Sequence, residues 1–146
     1  MLNKTLKDGR IAEEDWKVLF PGKTHMLGGQ IPLYLEPAGI GKIQFIASRL
    51  MEITGILEQV GIDLKNLEKP EQLSMALPVI VQYIPDVIGE LSGLHQDDVA
   101  RLPLSALMPL AMDILEVNKA SLEYLQKNLQ SLAMILVAIR NMGLGT

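Results

Sequence analysis

With 146 residues, no cysteine and a formal net charge of −4, the chain has room for one domain with a substantial core. It has no means of forming disulfides, thiolate metal sites or a cysteine nucleophile. Hydrophobic residues make up 49% of it and aromatics only 4%, so its core must be built mainly from Leu, Ile, Val, Ala and Met, a set that favours helices over a β-sandwich.

No basic stripe stands out, which leaves nucleic-acid binding without an electrostatic footprint. The N-terminal MLNKTLKDGR lacks the apolar stretch of a signal peptide. The longest nearly unbroken apolar run, Leu132 to Ile139, is too short to cross a bilayer as a helix. A soluble protein of the cytoplasm is expected, with no membrane partner.

The first twenty residues are polar with a few anchors: Ile11, Trp16, Val18, Leu19 and Phe20. Glu13, Glu14 and Asp15 favour the opening of a short helix, and Pro21-Gly22 breaks it. A hairpin pattern follows. Lys23–Leu27 runs to Gly28-Gly29, after which Ile31, Leu33 and Leu35 alternate with Pro32, Tyr34 and Glu36. A period of two beside a Gly-Gly turn is a hairpin signal. Pro32 restricts its strand to an edge, and a lone hairpin must lean on helices.

After Glu36-Pro37-Ala38-Gly39 the period changes. Ile43, Ile46, Leu50, Ile53, Leu57 and Val60 form one helical stripe ending at Gly61. A connector over 62–69 is expected to tuck Ile62, Leu64 and Leu67 inward. Pro70 and Glu71 suit a first helical turn, and Leu73, Leu77, Ile80, Ile84, Val87 and Leu91 continue the stripe. Pro78 and Pro85 each remove a backbone hydrogen bond, so 71–91 reads as helical but bent. Ser92-Gly93 ends that stretch, Gln96–Leu102 makes a turn or two behind Asp97 and Asp98, and Pro103 opens the last helical region.

From Leu104 the stripe keeps a strict 3,4 alternation through Leu107, Ala111, Ile114, Asn118, Leu122, Leu125, Leu129, Leu132 and Leu136 to Ile139. One helix of about 50 Å satisfies it. Two helices broken near Asn118-Lys119-Ala120-Ser121 are the alternative. Asn118 is the one strongly polar residue on the stripe and Ser121 is a competent cap, which favours the break. Gly143-Leu144-Gly145 ends helical order. The fold class is therefore mainly α, a helical bundle with a small N-terminal β-hairpin: an N-terminal segment over 1–40 and a helical domain over 41–142, packed together as one unit.

No constellation for catalysis emerges. Pro21-Gly22-Lys23-Thr24 resembles the end of a phosphate-binding loop, but Lys17 stands where the first glycine belongs and a strand pattern follows in place of a helix. His25 and His95 are 70 residues apart and lack acidic or histidine neighbours at metal-ligand spacing. Asp97 and Asp98 beside His95 read as a helix start. The Glu13-Glu14 and Asp97-Asp98 pairs do general acid–base work only inside a cleft, and helix opening explains them more simply. The chain is therefore expected to be no enzyme, with no catalytic, cofactor or metal residues.

The informative segment is the last. Leu129, Leu132, Leu136 and Ile139 make the seam, yet Ala133, Met134, Ile135, Val137 and Ala138 are also apolar. A helix apolar all round must be covered on all sides, here either by its own domain or by a second polypeptide. Leu125, Leu129, Leu132, Met134, Ile135, Leu136 and Ile139 are the candidate residues for partner binding or self-association. Met108, Met112, Met134 and Met142 add the adaptability of flexible thioethers.

Three stretches together resemble the tail assembly chaperones of long-tailed bacteriophages. They are Leu19-Phe20-Pro21-Gly22-Lys23-Thr24 leading through Gly28-Gly29-Gln30 to Leu33-Tyr34-Leu35-Glu36-Pro37; Leu91-Ser92-Gly93-Leu94 with Asp97-Asp98 and Leu102-Pro103-Leu104; and Ile114-Leu115-Glu116-Val117-Asn118 before an amphipathic C-terminal helix. Ala120-Ser121 depart from the family, where an aromatic pair often follows the Asn. The resemblance implies an N-terminal hairpin, no catalytic residues and self-association into oligomers. It also implies a concrete role, which is to coat the long helical tape measure protein in the host cytoplasm until tail tube subunits displace the chaperone. A structural subunit of a phage tail or related particle, or a helical protein-binding adaptor, is the alternative.

Overall fold

The computed structural model describes residues 6 and 8–143, the Leu64 side chain excepted. The inward tuck expected of Leu64 and the stop at Leu144-Gly145 lie outside the described residues. The protein is mainly α with a two-stranded antiparallel hairpin near its N-terminus, as the periodicities predict.

Helix α1 (Glu13–Leu19) carries Glu13, Glu14 and Asp15 in its first turn, where carboxylates meet the positive end of the helix dipole. Strands β1 (Lys23–Leu27) and β2 (Ile31–Leu35) follow, with Lys23 opposite Leu35 and Leu27 opposite Ile31. Gly28 and Gly29 have φ of +60° and +73°, a left-handed pair that residues with a Cβ adopt only at a cost. Leu35 is buried, Leu33 is half-buried and Ile31 stands out at the hairpin tip, so the alternation points inward only where helices cover it.

Helix α2 spans Ile40–Gln59. The turn at Leu64–Asn66 leads to α3 (Pro70–Val81) and α4 (Ile84–Ser92). The bend expected over 71–91 is a full break at Gln82-Tyr83. Pro85 lies in the first turn of α4, where a missing N–H costs nothing, while Pro78 is carried inside α3. Helix α5 (Gln96–Arg101) is capped by His95, whose side chain accepts from the Asp97 N–H.

The last helix, α6, runs unbroken from Leu104 to Asn141, 38 residues or about 57 Å. The break expected near Asn118–Ser121 is absent. Asn118 stays helical because its polar atoms are satisfied there: Nδ2 donates to the Ile114 carbonyl and Oδ1 accepts from the Ala38 N–H at 2.7 Å. The residue binds the link between hairpin and α2 instead of ending the helix.

The core is thin. One cluster joins Ile53, Leu57, Ile62 and Ala76, bringing α2 onto α3. The other joins Leu35 with Leu110 and Ile114, flanked by Ile88, Leu91 and Val117, and so seats the hairpin and α4 on the first half of α6. Among the described residues only eight hydrophobic side chains are buried, and none lies beyond Ile114. Of the α2 stripe, Ile53 and Leu57 are buried while Leu50 and Val60 remain exposed.

Candidate functional site

The hairpin and α6 are joined by a cluster of charged groups. Lys23 Nζ reaches Asp113 Oδ1 at 2.9 Å and Glu116 Oε2 at 2.8 Å, and buried His25 places Nδ1 2.6 Å from Asp113 Oδ2. An ionised carboxylate only accepts hydrogen bonds, so His25 carries its proton on Nδ1 and donates it. Hydrogen bonds from Lys23 and then His25 hold the Asp113 carboxyl below its ordinary value, and the two carboxylates raise the Lys23 ammonium. At the mouth of the hairpin, Gly22 donates its N–H to the Tyr34 hydroxyl at 2.8 Å. The Pro21-Gly22-Lys23-Thr24 run is thereby accounted for as an anchor of the hairpin. Among the described residues no group of three or more His, Asp or Glu side chains is placed to hold a metal.

With its first half clamped in this way, α6 has one covered side. Leu110 and Ile114 are buried and Leu107, Ala111, Val117 and Asn118 half-buried, whereas Leu104, Met108, Met112 and Leu115 face outward. At 3.6 residues per turn the covered side continues through Ser121, Leu125, Leu132, Leu136 and Ile139. Beyond Ser121, at the edge of the head, the covering elements end and the same stripe continues bare.

All seven candidate residues, Leu125, Leu129, Leu132, Met134, Ile135, Leu136 and Ile139, are therefore exposed on one free helical segment. Leu125 is the least exposed of them at 36% and Met134 the most at 66%. They do not converge on a pocket. The seam residues share the side that continues the core stripe, Met134 and Val137 lie on the opposite side, and Ile135 flanks the seam. Met108, Met112, Met134 and Met142 are all exposed as well. From Asn128 to Ile139 the segment holds no charged side chain. A monomeric soluble protein rarely presents a continuous apolar surface of this extent.

A second feature was not legible in the sequence. Where α1, the end of β2 and the start of α2 meet α6 at Ser121, a pocket of about 400 Å³ is lined by Trp16, Phe20, Tyr34 and Pro37. The rings of Trp16 and Phe20 lie 5.4 Å apart, both exposed. Glu13 and Glu36 line the same pocket, as do Lys42 and Lys17, whose ammonium sits 4.6 Å from the centre of the Tyr34 ring. Only the short aromatic spacing of Trp16 and Phe20 hinted at it, since Tyr34 and Ser121 come from distant elements.

Fold and surface together define a mainly α protein with a small globular head and a long projecting apolar helix. No protein-family model, no curated protein and no solved structure matches the chain. No helix among the described residues is long and apolar enough to cross a membrane.

Proposed function

We propose that this protein is a non-catalytic tail assembly chaperone: it covers apolar segments of a long helical chain, the tape measure protein of a long-tailed phage, in the host cytoplasm and releases them as the tail tube forms. The observation that carries this reading is the bare second half of α6, charge-free from Asn128 to Ile139 and beyond the His25–Asp113 and Asn118 attachments that fasten the first half to the head. Each half-exposed Leu, Ile or Met gains on the order of 1 kcal/mol when a partner covers it. Such contacts give useful but reversible affinity once the cost of association is subtracted. Many copies on one long partner raise one another's local concentration. Exposed Met108, Met112, Met134 and Met142 suit a surface that must accept successive non-identical stretches of a helix.

The reading predicts a very long helical reading frame immediately downstream of this one, and the test is co-expression with the chain it encodes. The partner stays soluble with the parent protein and precipitates with Leu132→Asp or Leu136→Asp, while circular dichroism of both variants is unchanged because both positions lie outside the core. If the variants retain the partner, the surface is misassigned. The alternative, a structural subunit of the particle, predicts that mass spectrometry of purified particles finds this chain; the chaperone reading predicts that it does not.

A further inference from the structure

The chain has one Trp, two Phe and three Tyr, and three of these six, Trp16, Phe20 and Tyr34, line a single pocket of about 400 Å³. So scarce a residue class gathered in one place calls for an occupant. The position of the pocket says which. Ser121 of α6 forms part of its wall, and Ser121 lies on the same side of the helix as Ile114 before it and Leu125 and Leu132 after it. The bare seam of the arm therefore leads into the pocket.

We propose that the pocket receives a bulky uncharged side chain, an aromatic ring above all, from the end of the client helix that lies on the arm. That this occupant belongs to the client rests on the chaperone reading.

The head sets where the client helix must stop. Along residues 107–118 the seam's side of α6 is filled by the hairpin and α4, with Leu35, Ile88 and Leu91 packed there. A helix lying on the seam runs from about Ile139 to about Leu122, roughly 27 Å or 18 residues, and can go no further. Its last turn then stands against Trp16, Phe20, Pro37 and Gly39.

Charge and geometry set what the pocket takes. Glu13 and Glu36 are balanced by Lys17 and Lys42, so the pocket has no net charge and does not select an ion. Its apolar surface is made of rings. Those of Trp16 and Phe20 are 5.4 Å apart, tilted by 43°, and both are exposed. Tyr34 is already fixed: its hydroxyl accepts the Gly22 N–H at 2.8 Å, and the Lys17 ammonium lies 4.6 Å from its centre. A ring held in place loses little freedom when another packs on it, and tilted or offset ring pairs are favourable beyond the area they bury. An aromatic centre inside a rim of charged side chains is the make-up of a binding hot spot.

Trp16 is the only tryptophan, so its emission reports on the pocket directly. The probes are two synthetic helical peptides of about 20 residues without tryptophan. Both carry Leu at heptad a and d positions and Lys and Glu elsewhere, and they differ only in having Phe or Ala at both ends. The Phe-ended peptide is expected to bind the parent protein about tenfold more tightly in calorimetric titration and to shift Trp16 emission to shorter wavelength. The Ala-ended peptide is expected to bind without that shift. Phe20→Ala removes a side chain outside the buried core and is expected to bind both peptides alike, with the affinity of the parent for the Ala-ended one. Equal affinities on the parent, or a tenfold gap that survives in Phe20→Ala, would overturn the pocket assignment while leaving the seam, and with it the chaperone reading, in place. Failure of both peptides to bind the parent would remove the seam as a surface for apolar helices and overturn both.

Discussion

His25 Nδ1–H donates to the Asp113 carboxylate at 2.6 Å across 88 residues of sequence, and with the Lys23 ammonium on the other oxygen it fixes the hairpin on α6. Replacing Asp113 by Ala leaves buried His25 without its acceptor. A loss of about 2 kcal/mol is expected, the usual scale for a hydrogen bond to a charged group, read as a lower urea midpoint at pH 7.

The same carboxylate sets an acid limit. Hydrogen bonds from Lys23 and His25 hold the Asp113 carboxyl below its ordinary 3.8. A carboxyl whose folded value is depressed contributes stability that is complete above its unfolded value and is lost as pH falls through the folded one. The gap in thermal midpoint between the parent and Asp113→Asn is therefore expected to be constant from pH 7 to about 5 and to close below about pH 4. A gap that persists unchanged at pH 2 would assign the effect to packing.

Asn118→Leu extends the apolar stripe of α6 and should still destabilise the protein. The Ala38 N–H loses its acceptor at 2.7 Å, and a partly buried amide left unpaired costs about 1–3 kcal/mol. Hydrogen exchange checks the cause: the Ala38 amide should exchange faster in the variant, while amides in α3 keep their protection relative to global stability.

What the sequence reveals and what it hides divide on range. The hairpin was legible because its evidence is local: two glycines able to take positive φ and an alternation that ends in Leu35. Helices α2 and α5 were legible for the same reason, with starts and stops written in Gly39, Gly61, His95 and Pro103. Asn118 misled because a polar residue on an apolar stripe looks like an interruption; its partner, the Ala38 N–H, is 80 residues away and leaves no local mark. His25 and Asp113 are hidden likewise. The bare seam was half legible. Composition shows that Leu129–Ile139 is apolar on every side, but only the position of the hairpin and α4 shows that the head stops short of it.

Two glycines should respond to alanine with opposite signs. At Gly22 an added Cβ would lie 1.9 Å from the Leu35 carbonyl oxygen, inside the backbone of the paired strand. The hairpin must shift, at a cost of about 2–3 kcal/mol. Gly55, within α2, has no neighbouring atom within 4 Å of the same position. Gly55→Ala is expected to stabilise by about 0.5–1 kcal/mol through helix propensity and a less flexible unfolded chain. Urea unfolding of both variants decides it.

A chain ended after Leu122 tests the division between head and arm. Every buried hydrophobic side chain among the described residues lies at or before Ile114, and the polar attachments of α6 end at Asn118. The shortened protein keeps all of these together with Ser121 of the pocket wall. Its thermal midpoint is expected within a few degrees of the parent's at low concentration, where the arm has no partner to stabilise it. It should fail to hold the long helical client in solution. A collapse of the midpoint would show that the arm folds back on the head, and would remove the free surface on which the chaperone reading depends.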